Sequence, residues 1–315
     1  MLTKPMDILE MFPVRKTRQQ KQRFREDLCS YISDLDYEVQ VESGKWGCRN
    51  VVVGDPETAK YLLTAHYDTP ARSPYPNACA PCSRGHRMLM TMPVILCAYL
   101  LGIAAGIVTA IVTSSKIITF GVIFGVICLF IGIAIILIRM GPANPNNVND
   151  NSSGVITLLE IMRSMPENQR AKVCFVFFDL EEAGLVGSSS YRKKHKDATN
   201  RQLILNLDCV GDGDQLLMIP TKKLRNDRKK LTSLYKACGY FGTKSLTVCE
   251  KKTAVLMSDH MRFPYGVGIA AFGEHKRFGP YFSRIHTPKD TILEETNVNI
   301  LRAALTSFIC RDAVQ

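Results

Sequence analysis

Between Met88 and Ile138 the chain carries a single charged residue, Lys116. No other feature of the 315 residues restricts the fold as strongly. The short polar patch Thr113–Lys116 divides this window into two apolar stretches, about 88–112 and 117–138. Each is long enough to span a bilayer as a helix, for which about 20 residues suffice. Helices of soluble cores average about 11 to 12 residues and keep a polar stripe, which neither stretch has. The reading is a transmembrane helical hairpin over 88–138. Gly102 with Gly106 and Gly121 with Gly125 recur at four-residue spacing, which predicts close helix packing through both pairs. A hairpin returns the chain to the side it left, so 1–87 and 139–315 are expected to form one interrupted domain. Arg84, His86 and Arg87 precede the first span and Arg139 follows the second, against one lysine at the turn. That bias predicts an integral protein of the cell membrane with its domain in the cytoplasm. The opening stretch MLTKPMDILEMFPVRKTRQQ has no apolar core of a signal peptide, in keeping with that placement.

The lipid bilayer is therefore one expected partner. With 46% hydrophobic residues the remainder can bury a sizeable core. The net charge of +11 is concentrated in runs such as Arg15–Arg25 and Lys222–Lys230, which suit anionic headgroups or solvated helix faces. Nucleic acid is not expected, since no binding motif accompanies the charge. Eleven cysteines, two of them (Cys97 and Cys128) inside the spans, suit free thiols in a reducing compartment. Cys79 and Cys82 form a CxxC without a second pair at zinc-ribbon spacing, so they read as plain thiols.

Outside the hairpin, helical periodicity alternates with short apolar runs. Phe24, Leu28, Tyr31, Ile32 and Leu35 share a helical face, as do Val155, Leu158, Leu159 and Met162, and Leu301, Leu305 and Phe308. Between them lie YLLTA (61–65), VCFVFF (173–178), LILNL (203–207) and GIAAF (268–272). Strands apolar on both faces belong in a mostly parallel or mixed central sheet with helices on both sides. The expected fold is an α/β sandwich interrupted by the hairpin.

Polar groups follow these strands in a pattern. His66 and Asp68 follow the first, Glu181 and Glu182 the second, and Asp208 the third. Ligand crevices of open α/β sheets lie outside the carboxyl ends of the strands, so these groups should converge. Asp150, in NDNSSG at a helix start, and His286, in RIHTPKDT, are further candidates for the same crevice. Imidazoles and carboxylates are the usual nitrogen and oxygen ligands of zinc.

The ordered motifs HYD, NDNSSG, DLEEAGLVGS, LDCVGDGD, SDHMRF and RIHTPKDT resemble those of the di-zinc aminopeptidase family, which includes glutamate carboxypeptidases and glutaminyl cyclases. The resemblance implies a zinc-exopeptidase-like sandwich holding two zinc ions. Asp150 would bridge them, with His66 and Asp208 on one ion and Glu182 and His286 on the other. Glu181 would be the general base, with Asp68 orienting His66 and Asp290 placed to do similar work at His286. The implied activity is metal-assisted hydrolysis of peptides, with the free amino terminus near the metals as in an aminopeptidase. Asp259 and His260, in SDHMRF, would lie behind the site rather than bind metal. His86, His195 and His275 are assigned no role. Some relatives carry an aromatic residue before the final histidine, where this chain has Ile285, so the oxyanion-stabilising group stays unassigned. Two alternatives accompany this reading, a single-zinc glutaminyl cyclase-like enzyme and an inactive membrane scaffold. The intact residue set argues against the scaffold.

Overall fold

The computed structural model describes residues 1–73 and 78–311. Among these residues the strands are β1 (Val39–Ser43), β2 (Arg49–Val53), β3 (Tyr61–His66), β4 (Val173–Phe178) and β5 (Leu203–Leu207), then β6 (Gln215–Pro220), β7 (Gly239–Phe241), β8 (Lys244–Val248), β9 (Gly266–His275) and β10 (Gly279–Tyr281). The longer helices are α1 (Arg18–Ser33), α2 (Arg84–Val112), α3 (Lys116–Met140), α4 (Gly154–Ser164), α5 (Val186–Lys194) and α6 (Glu295–Arg311). The strands form one mixed sheet in the order β1-β2-β4-β3-β5-β9-β6-β8-β7, with β10 paired to β9.

The apolar runs become the parallel centre, β4-β3-β5-β9. Their side chains alternate between two cores, as the period of a strand requires. Leu63, Phe175, Phe177 and Leu205 pack beneath α1, α4 and α6, whose Phe24, Leu159 and Leu301 lie in the same core. Leu62, Val176, Phe178 and Ile204 face the other way, toward Tyr191 of α5. The outer strands are less apolar, and β1 pairs antiparallel with β2 across a short turn.

The hairpin enters this frame without splitting it. Where the chain leaves β3 and where it returns, Ala71 and Ala143 form an antiparallel bridge. Arg72 N donates to Pro142 O at 2.8 Å and Asn144 N to Pro70 O at 3.0 Å. A second bridge joins Cys79 to Phe282, and Val255 N donates to Pro81 O at 3.1 Å. At the base of α2, the buried His86 ring packs against Phe278 and Tyr281, and Arg87 donates to the carbonyls of Pro81 and Thr253. Among the described residues, α2 and α3 are the helices long and apolar enough to cross a membrane.

Only one glycine pair packs between these two helices. A Cβ at Gly102 would lie 2.8 Å from Ile127 Cγ1 and 3.2 Å from Ile123 O, and one at Gly106 2.5 Å from Ile123 Cγ1. The expectation for Gly121 and Gly125 is corrected, because a Cβ there would meet nothing within 4 Å. These glycines stand two residues before Ile123 and Ile127, about 200° around the helix, so the isoleucine ridge takes the groove and the glycines face outward. The basic run is corrected as well. Arg15, Lys21 and Arg25 are buried, because Lys21 Nζ pairs with Asp179 at 2.6 Å and Arg25 donates to the Tyr67 hydroxyl. The Lys222–Lys230 run does present Lys222, Lys223, Arg228 and Lys229 to solvent.

Valine at both Gly102 and Gly106 is expected to overpack this contact and destabilise the hairpin by about 1–3 kcal/mol. Alanine at Gly121 or Gly125 should be near neutral. Thermal unfolding of the variants in detergent checks the difference.

Candidate metal centre

β3 and β5 run in register, with Thr64 opposite Asn206, so His66 and Asp208 emerge level at the carboxyl edge. Across β3, His66 pairs with Phe178, and the chain beyond β4 turns at once into Glu181 and Glu182. Asp150 enters from the segment before α4. There Asn151 Oδ1 accepts from Gly154 N and from Cys209 N, tying the helix start to the end of β5. A Cβ at Gly154 would lie 2.3 Å from Asn151 Oδ1 and 2.5 Å from Leu207 O, so only glycine allows this approach. Several residues at the rim hold left-handed backbone, including Leu180 (φ 56°), Cys209 (φ 59°) and His286 itself (φ 57°). Non-glycine residues adopt this region at a cost of about 1–3 kcal/mol each, and such residues cluster at functional sites.

The structure brings the sequence-selected side chains together. His66 Nε2 lies 3.4 Å from Asp150 Oδ1 and 3.7 Å from Asp208 Oδ1. On the other side of Asp150, His286 Nε2 lies 3.0 Å from Oδ2 and 3.5 Å from Glu182 Oε1. Two donor groups, His66–Asp150–Asp208 and Asp150–Glu182–His286, each fall within 4.8 Å and share Asp150. Glu181 forms a further group of this kind with His66 and Glu182. Together these residues floor a cavity of about 450 Å³.

Asp68 stands beside His66 as expected, and both Asp68 and Asp290 also hold backbone amides. The Asp68 carboxylate stands 3.6 Å from His66 Nδ1, whose nearer acceptor is the Asp68 carbonyl at 3.1 Å. The strand ends at His66, so Asp68 is free to turn, and its carboxylate accepts from Glu181 N at 3.0 Å and Glu182 N at 3.2 Å. Asp290 accepts from Asn149 N at 2.7 Å and Asp150 N at 3.0 Å rather than bonding to His286. Each aspartate therefore fixes the backbone of a donor, and Asp68 faces the His66 ring as well. Sequence reasoning missed Arg15, whose guanidinium is fully buried and donates to Tyr67 O, Phe12 O and Ser152 Oγ. It stood inside a basic run, where spacing alone cannot separate a buried cation from solvated ones.

The electrostatics of the cluster follow from the carboxylates it gathers. Burial opposes protonation of His66, yet Glu181 and contacts to Asp150, Asp208 and Asp68 lift its pKa well above the ordinary value. Burial likewise opposes protonation of His286, but Glu182 and Asp150 raise it to about 9. Glu182 is pushed up to about 8, first by burial and then by Asp150 and Asp68 against the two histidines. Glu181 rises well above the carboxylate range, chiefly by burial with Glu182, Asp259 and Asp208 adding to it. Burial lowers Arg15 to about 10 even beside Asp68 and Asp150. Crowded carboxylates thus draw protons onto both histidines and onto one another, and bound cations would relieve the same excess of negative charge. Glu182 Oε1 is buried without a hydrogen-bond partner, as a donor atom reserved for a cation would be. Nitrogen and oxygen donors in groups of three fit zinc.

Asp290→Ala should strand two buried amides, each costing about 1–3 kcal/mol. The expected outcome in denaturant unfolding is a loss of a few kcal/mol, with Asp290→Asn losing less because it keeps one acceptor.

The sequence pattern of Peptidase family M28 matches residues 138–307, more than half of the chain. Aminopeptidase YwaD of Bacillus subtilis (strain 168) is 29% identical over 168 residues, which cover 48% of this chain and 34% of that protein. The chain thus matches about a third of that relative's length. Among solved structures, the Legionella pneumophila LapA aminopeptidase superposes with a TM-score of 0.59 at 14% identity, covering 99% of this chain and 71% of its own. A Porphyromonas gingivalis glutaminyl cyclase superposes with a TM-score of 0.58 at 15% identity, covering 96% and 93%. At such identities these are likenesses of fold, shared by an aminopeptidase and a cyclase alike. Taken with the family match, they lead to one assignment: this chain belongs to Peptidase family M28.

Proposed function

We propose that the chain is a membrane-anchored di-zinc aminopeptidase. The observation that carries this reading is the sharing of Asp150, with Oδ1 toward His66 and Oδ2 toward His286. His66, Asp150 and Asp208 would hold one ion, and Asp150, Glu182 and His286 the other. A single-ion, cyclase-type site would leave one of these buried donor groups uncompensated. Zinc, when bound, lowers the pKa of water and polarises a carbonyl.

The remaining work falls to the protein. Glu181 takes the proton from the water as its oxygen bonds to the peptide carbonyl carbon, and returns it to the amine nitrogen as the C–N bond breaks. Its carboxylate lies in one cluster with His66 and Glu182, within reach of both proposed ion positions. Asp68 holds the amides of Glu181 and Glu182, so that the two neighbouring side chains serve separate tasks. Glu182 reaches His286 and Glu181 stays near His66.

The hairpin α2–α3 is the proposed membrane anchor, over the division 1–87 and 139–315 for the peptidase domain and 88–138 for the insertion. Arg84, Arg87 and Arg139 mark the domain end, and Lys116 alone marks the turn, which supports a cytoplasmic domain.

Detergent-purified protein assayed with zinc should hydrolyse a peptide with a free N-terminus and spare its acetylated twin. Glu181→Gln should lower turnover about 10²–10⁴-fold while zinc content is unchanged. Equal cleavage of both peptides would overturn the aminopeptidase reading, and an active Glu181→Gln the role of that residue.

A further inference from the structure

The catalytic cavity is walled in part by the hairpin. Met90 and Thr91 of α2 and Ile138 of α3 line it together with His66, Glu182 and His286. Thr91 turns its hydroxyl back onto the carbonyl of Arg87, so these three positions offer hydrocarbon, with Arg87 and Arg139 adding charge beside them. Val255, Leu256 and Met257, the last of them 70% exposed, line the same cavity. The apolar lining does not stop at the mouth. Beyond it both helices are apolar and outwardly exposed, at Leu89, Ile95 and Leu96 of α2 and at Ile135, Ile136 and Leu137 of α3.

Depth can be judged from the arginines. Arg87 and Arg139 also line the cavity, at the points where the two apolar stretches begin and end. Arginines at span ends settle at headgroup level, with their stems along the apolar surface. Thr91 is four residues beyond Arg87, about 6 Å further along the helix. On the membrane-anchored reading, the mouth therefore straddles the bilayer surface, with the donors on the aqueous side and one wall in lipid.

Resting on that reading of the site, we propose that the substrate is a peptide held in the bilayer by an apolar segment. Its N-terminus enters the cavity along the wall formed by α2 and α3. Met90, Ile138 and Met257 contact the apolar portion as it leaves the membrane, so the hairpin selects substrates as well as anchoring the protein. A water-soluble peptide with the same N-terminus reaches the donors without those contacts.

The test uses the full chain in phosphatidylcholine vesicles and two peptides of identical N-terminal sequence, one ending in a plain amide and the other in a hexadecyl amide. Rates are expressed per peptide bound to the vesicle or free in solution, so that enrichment in the membrane is removed. The tailed peptide should show a kcat/KM at least tenfold higher, and Met90→Asp with Met257→Asp should cut that ratio at least fivefold. A ratio near one, or a ratio indifferent to the double variant, overturns the proposal while leaving the aminopeptidase reading in place. In parallel, a photoreactive group midway along the tailed peptide is cross-linked to the Glu181→Gln protein. Labelling within residues 88–91 or 138–140 supports the proposal, and labelling confined to other surfaces overturns it. If neither peptide is hydrolysed, the aminopeptidase reading fails and the cross-link still decides the entry route.

Discussion

A buried aspartate between two histidines, ringed by further carboxylates, sets the terms for the rest of this structure. Asp150 faces His66 with one oxygen and His286 with the other, and Glu182 and Asp208 crowd in from either side. Burying so much like charge is costly unless it is matched by cations or protons. The surroundings are organised around that cost. Arg15 lies buried beneath the group, Asp68 and Asp290 pin the backbones that carry the donors, and left-handed residues at 180, 209 and 286 shape the approaches. The two aspartates serve equivalent purposes on opposite sides, each using both carboxylate oxygens on consecutive amides.

The hairpin stands in the middle of this arrangement in sequence, between His66 and Asp150, yet does not disturb it in space. The Ala71–Ala143 bridge closes the two ends, so the insertion costs the sheet nothing in register. Closing the ends also fixes where the helices start. Both must leave the domain beside the cavity, and this is why Met90 and Ile138 share it with the donors. The proposed anchor and the proposed entrance thus rest on a single feature of the connectivity.

Much of this was legible in the sequence, for physical reasons that can be named. Strands buried on both faces write themselves as continuous apolar runs, so β3, β4, β5 and the core of β9 stood out, and the polar residues after them pointed to a crevice. The outer strands did not. β1 reads VQVES and β8 KSLTV, with alternating or mixed character that no periodicity separates from loop. The donors were visible as residue types in motif order, whereas the residues that fix them were not. Asp68 stands beside His66 as the motif implies, but its hold on the 181–182 amides depends on the chain turning where the strand stops at His66, which residue type and spacing do not show. Arg15 and Lys21 were hidden among surface-like basic neighbours, since only tertiary contacts reveal which cation is buried. The glycines of α3 failed for a similar reason, because four-residue spacing names a face without saying which way it points.

The claim at the centre of the account is that one carboxylate serves two ions. Metal analysis of the purified full chain, with Asp208→Ala and His286→Ala beside it, tests that claim most directly. The account predicts two zinc ions per wild-type chain and one in each variant, because each substitution removes a donor from only one of the two groups sharing Asp150. A wild-type chain that binds one ion, or none, under saturating zinc would contradict it.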